Sequence, residues 1–125
     1  MNRADRKRWA SARTLADLGA LAALWLEEGI MSQPGYAAGC GPDEETRPLV
    51  PVLAACNRAG FVTNCSQPGY WGDGTWDQRA AVEGFATPEV LGRILRETDG
   101  TGLIVTAQRA SRWCTDDEDC GECSA

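Results

Sequence analysis

The sequence predicts an α+β domain of order ααββαβ, two N-terminal helices followed by a ββαβ unit whose small mixed sheet is packed by the helices. Three observations carry this. Leu15, Leu18, Ala22 and Trp25 recur at helical spacing and make one apolar face. An apolar helix then stops at Gly60, and a β-branched run begins immediately at Phe61-Val62-Thr63. Finally, Thr87-Pro88-Glu89 opens another helix, and beyond Asp99-Gly100 the run Leu103-Ile104-Val105 is the strongest strand signal in the chain.

Taken in order, the first helix is expected from Asp5 or Ser11 to Glu28, with Thr14 and Asp17 in a capping arrangement that also reads as a restart after a looser first segment, and Gly29 as the stop. Ser32 to Pro42 holds Pro34, Gly35, Gly39 and Gly41 and reads as a loop, in which Tyr36 either covers a pocket or anchors the chain. The second helix is expected from Asp43–Thr46 to Ala59. Pro48 and Pro51 lie near its start, and Leu49, Val52, Leu53 and Cys56 form its apolar face. Ser66-Gln67-Pro68-Gly69 closes the first strand as a turn, Tyr70 to Gly74 is a loop, and Gln78 to Phe85 is a second strand. Val90, Leu91, Ile94 and Leu95 pack the third helix down.

At 125 residues with 43% apolar content the chain is one domain's worth of core, expected over residues 1–109. Residues 110–125 read as a flexible acidic tail carrying Asp116, Asp117, Glu118, Asp119 and Glu122 without a base. The net charge of −6 gives no basic face, so nucleic acid is not an expected partner, although Arg3, Arg6, Lys7, Arg8 and Arg13 make the start basic. Leu15 to Leu26 is interrupted by Asp17 and too short to span a bilayer, so a cytoplasmic protein with reduced thiols and no membrane contact is expected. Arginine supplies eleven of the twelve bases, which suggests a GC-rich genome such as that of an actinobacterium or its phage.

Histidine is absent, which removes the commonest general base and metal ligand, and the one lysine is Lys7. An enzyme is therefore not expected. Cys114, Cys120 and Cys123 leave a zinc site one ligand short unless Cys40, Cys65 or a second chain completes it, so no metal is expected either.

The stretch Asn57 to Pro68, NRAGFVTNCSQP, resembles the C-terminal regulatory domain of eukaryotic methylenetetrahydrofolate reductase, whose helix-to-strand segment follows the pattern NRxGxxTxxSQP. Glu45-Thr46 stands where that family has a Glu-Thr pair at the same helix start, and Gln78 through Val105 is similar to its following strand, helix and strand. The resemblance covers residues 43–108, about half the chain. It implies a non-catalytic domain that binds S-adenosylmethionine or S-adenosylhomocysteine, with Glu45, Thr46, Thr63 and Ser66 as ligand contacts. The family's barrel is missing, which excludes the reductase reaction, and its later strands have no counterpart after Arg109. Such a half-site could complete itself in a homodimer. The whole chain also resembles a family of short actinobacterial and phage proteins, which adds no function.

Residue chemistry is compatible with this implication. A carboxylate accepts from both ribose hydroxyls or pairs with a sulfonium, and hydroxyls on rigid elements are well-positioned partners. Trp71 or Trp76 could stack on an adenine ring. The expected function is a sensor or sequestering module for an S-adenosyl compound or related adenine nucleoside. The alternative is a small acidic protein, of a kind that phages encode, that inhibits a host protein by direct contact through its tail.

Overall fold

The computed structural model describes residues 1–36, 39–72, 74 and 77–109. Its helices are α1 (Arg3–Ser11), α2 (Leu15–Leu26), α3 (Val50–Arg58) and α4 (Pro88–Thr98), with a 3-10 helix at Glu44–Leu49. Its strands are β1 (Val62–Gln67), β2 (Tyr70–Trp71), β3 (Asp77–Gln78) and β4 (Ala81–Phe85). The α+β class stands: helices lead, small antiparallel pairings follow, and an amphipathic helix comes last.

The expected first helix is two. Ala12 is extended, and α2 restarts at a capping box in which Thr14 Oγ1 accepts from Asp17 N while the Asp17 carboxylate accepts from Thr14 N. The same carboxylate also takes the Arg13 amide at 2.9 Å, and these bonds hold Asp17 below the usual aspartate value. The stop is set one residue earlier than Gly29. Glu28 occupies the left-handed position at φ 63°, while Gly29 N donates to Leu24 O and Glu28 N to Trp25 O. This is a Schellman closure with glutamate in the place that glycine usually fills. At the end of α3 the same closure has Gly60 in that place, at φ 99°.

Two prolines decide how the next helix begins. An α-helix from Asp43 would need the N–H groups that Pro48 and Pro51 lack, so the chain runs as a 3-10 helix to Leu49. Regular α-helix starts at Val50, where Pro51 falls in the first turn, whose amides have no partner anyway. This changes the buried face. Leu53, Ala54 and Asn57 point inward, whereas Val52, expected in the core, is exposed.

The core is small: Trp25, Leu26, Ile30 and Leu53, flanked by Trp9, Leu21, Leu49 and Val50. The α2 and α3 helices approach so closely that a Cβ on Gly19 would overlap the Asn57 carbonyl. At the other end α1 is clipped down by Asp5, a buried carboxylate that accepts from Met31 N, and by Trp9 Nε1 donating to Ser32 O at 2.8 Å. The remaining basic residues of α1 are exposed, as a solvated first helix would have them.

β1 pairs with β4 from Val62↔Phe85 to Gln67↔Ala81, with a bulge at Asn64 between Thr63 and Cys65. It therefore extends beyond Thr63 and absorbs Ser66-Gln67, which the sequence places in a turn. The expected 78–85 strand is divided at Arg79-Ala80 into β3, paired with β2, and β4. Leu103-Ile104-Val105 does not form the expected last strand, and with it goes the parallel pairing. Gly100 and Gly102 both take positive φ, and Leu103 and Ile104 are left 68% and 74% exposed. Strand preference reflects packing on a pleated surface, and among the described residues no strand pairs with the segment. The tail, with Cys114, Cys120 and Cys123, lies outside the described residues. No helix among the described residues is long and apolar enough to cross a membrane.

Candidate functional site

A cavity of about 240 Å³ opens where α2, the loop after it, the 3-10 helix, α3 and β1 meet. Its apolar side is Ala22, Trp25 and Leu26 from α2 with Leu53 from α3. Gln33, Tyr36, Pro42 and Asp43 close it from the loop, and Thr46, Thr63, Asn64, Cys65 and Ser66 bring polar groups from the other side.

Asn57 holds the helix-to-strand corner behind this cavity. Its side chain is completely buried; Nδ2 donates to Leu53 O and Thr63 Oγ1, both at 2.8 Å, and Oδ1 accepts from Thr63 N at 3.0 Å. Both backbone and hydroxyl of Thr63 are thereby fixed to α3. Because Thr63 Oγ1 accepts from Asn57, its own proton is available to donate toward the cavity.

The bulge does the rest. Thr63 and Ser66 are three residues apart, a spacing that puts side chains on opposite faces of a regular strand. The extra residue at Asn64 resets the alternation: Thr63 lies opposite Gly84 and Ser66 opposite Val82, two positions on the same face of β4. The tight approach at this point also explains Gly84, where a Cβ would overlap the Val62 carbonyl and meet the Phe61 ring.

Of the six ligand contacts expected from sequence, Thr46, Thr63 and Ser66 line one cavity. Glu45 does not; it is exposed and outside the lining. With three residues per turn, a 3-10 helix aligns positions three apart, so Asp43 shares a face with Thr46 and Glu45 does not. The carboxylate at the cavity is Asp43. Trp71 is 81% exposed on β2 and is not part of the lining, while Trp76 lies outside the described residues. The aromatic wall comes instead from Trp25 and Tyr36, whose rings meet edge to face at 4.9 Å and 60°. Trp25 is fixed further by Nε1 donating to Cys40 O at 3.2 Å.

Sequence reasoning therefore missed Asp43, Asn57 and the Trp25 ring. The i, i+3 relation of Asp43 to Thr46 and the polar Asn57 four residues after Leu53 were the available signals.

Electrostatically the cavity is acidic. The Tyr36 hydroxyl is pushed above its usual range, first by burial, then by the Asp43 carboxylate beside it and by Cys65. Burial also raises the Cys56 thiol, which disfavours its thiolate. Cys40, Cys56 and Cys65 are free thiols, and among the described residues no group of three or more cysteine, aspartate or glutamate side chains could hold a metal ion. Next to the cavity, past Leu26 and Pro42, Arg47 pairs with Glu28 at 3.3 Å and Arg58 pairs with Glu27.

Fold and site together define a small α+β domain with one mixed polar and aromatic cleft beside its helix-to-strand corner. A family model described as a domain of unknown function, DUF6919, matches residues 4–117, and the chain belongs to that family. No curated protein and no solved structure matches it.

Proposed function

We propose that the chain is a non-catalytic small-ligand-binding module whose cavity takes an adenine nucleoside, with S-adenosylmethionine and S-adenosylhomocysteine as the first candidates. The observation that supports this is the convergence of Thr46, Thr63 and Ser66 on one cavity, with Thr63 and Ser66 brought to one strand face by the Asn64 bulge. These three positions are among those the reductase resemblance assigns to ligand. Hydroxyls on one side and the Trp25–Tyr36 rings on the other suit a flat heterocycle joined to a hydroxylated sugar. At about 240 Å³ the cavity is below the roughly 300–1,000 Å³ usual for ligand pockets, so part of an S-adenosyl compound would sit in the open mouth. Sensing and sequestering both use such a site.

The test is thermal unfolding with S-adenosylmethionine, S-adenosylhomocysteine, adenosine and ATP in separate samples. A ligand at a hundred times its dissociation constant adds about 2.7 kcal/mol of stability. A melting shift with an adenine nucleoside that disappears in Thr63→Val and Ser66→Ala supports the reading. No shift with any of the four at millimolar concentration sinks it.

A further inference from the structure

We infer that the cavity selects organic cations, taking a sulfonium or quaternary ammonium group beside the Asp43 carboxylate and the Trp25–Tyr36 rings. This deepens the ligand reading above, since it concerns the same cavity, but its basis is charge rather than resemblance.

Among the described residues Asp43 is the one carboxylic side chain in the lining, and no arginine or lysine joins it there. Asp43 stands at the cap position of the 3-10 helix, yet its side chain caps nothing, and no base pairs with it among the described residues. Its neighbour is the neutral Tyr36 hydroxyl. Arg47 and Arg58 are the bases on the adjoining helical elements, and each is already matched to a glutamate at the end of α2. The cavity thus holds one uncompensated negative charge. Trp25 and Tyr36 also line the cavity, and an onium group set over either ring face is attracted by the ring quadrupole that would repel a phosphate. A phosphorylated nucleotide would bring negative charge to a carboxylate with no cation to receive it.

Two pairs of probes isolate the charge. S-adenosylmethionine and S-adenosylhomocysteine differ by a charged methylsulfonium against a neutral thioether. Choline and 3,3-dimethylbutan-1-ol have the same shape with and without the charge. Dissociation constants come from amide chemical shifts of Thr63 and Ser66 in the full chain and in Asp43→Asn, which keeps an oxygen acceptor for Tyr36. The expected result is at least about tenfold tighter binding of the cation in each pair, falling toward equality in Asp43→Asn. If choline outbinds its neutral isostere while neither S-adenosyl compound nor adenosine moves the amides, the inference stands and the nucleoside reading fails. The inference is overturned if the neutral member of either pair binds as tightly as the cation, if the preference survives Asp43→Asn, or if no probe shifts these amides. Equal binding of the two S-adenosyl compounds would overturn it and leave the nucleoside reading intact.

Discussion

Replacing Asn57 by alanine removes three hydrogen bonds at once, all made by a side chain with no exposed surface. Net contributions of about 1 kcal/mol per bond set the scale. Leu53 O is a helix carbonyl that keeps its backbone role, whereas the Thr63 amide and hydroxyl lose the partner that ties β1 to α3. Thr63 is half-buried, so water can recover part of the loss. The expected destabilisation is about 2–3 kcal/mol, read from urea unfolding as a lower midpoint with an unchanged slope. Asn57→Asp should cost more at neutral pH, because it keeps the acceptor for Thr63 N but buries a charge and loses both donated bonds. Its deficit relative to Asn57→Ala should shrink in acid, as the new carboxyl becomes protonated. If Asn57→Ala unfolds within about 0.5 kcal/mol of the parent, surface-like behaviour, then this side chain does not hold the helix-to-strand corner together.

Three further outcomes are expected. Gly19→Ala drives a methyl into the Asn57 carbonyl and should cost about 1–3 kcal/mol through forced separation of α2 from α3; unchanged urea unfolding would show that the helices can part freely. Glu28→Gly relieves a left-handed non-glycine residue worth roughly 1–2 kcal/mol, against about 0.4–1 kcal/mol of added chain entropy, so a net gain near 0.5–1 kcal/mol is expected; a loss would mean that the exposed Arg47 pair matters more than the backbone. Asp17 is depressed in the folded state, chiefly by the Arg13 amide, so its stabilisation is present above the ordinary aspartate value and fades as the pH falls through the lower folded value. The stability gap between parent and Asp17→Asn should therefore close in acid, and a gap that stays constant down to pH 2 would contradict the capping role.

Legibility in the sequence followed the range of the interaction. Thr14, Gly60 and Thr87 act through the amides of their own turn, and all three end or begin helices as their residue types dictate. Failures came where a distant partner or a backbone detail decides. Leu103-Ile104-Val105 has the composition of a strand but pairs with none among the described residues. Asp5 reads as one acid in a basic start, yet it is buried because the Met31 amide, twenty-six residues away, reaches it. Thr46, Thr63 and Ser66, named through the reductase resemblance rather than from local pattern, line the cavity. Its carboxylate was overlooked, although Asp43 stands three residues before Thr46, a spacing that shares a face in a 3-10 or an α-helical turn, whereas Glu45 is the immediate neighbour of Thr46. The Asn64 bulge is a property of pairing with β4 and leaves no mark in β1 alone.

The Asn57 clip also says something about how such a cleft could travel between proteins. Its three bonds join residues 53, 57 and 63, so the corner is braced from within one short run of chain rather than by the rest of the domain. Residues 43–66 thereby bring the carboxylate, the hydroxyls and their brace as a single cassette. What the rest of the domain must supply is a helix with a glycine where Gly19 stands, able to lie against the Asn57 carbonyl, an aromatic ring six residues further on, as Trp25 is here, and the β4 strand whose pairing makes the Asn64 bulge. The unit is thus braced from within but aimed from outside: the α2 glycine and the β4 pairing decide whether its hydroxyls face one cavity.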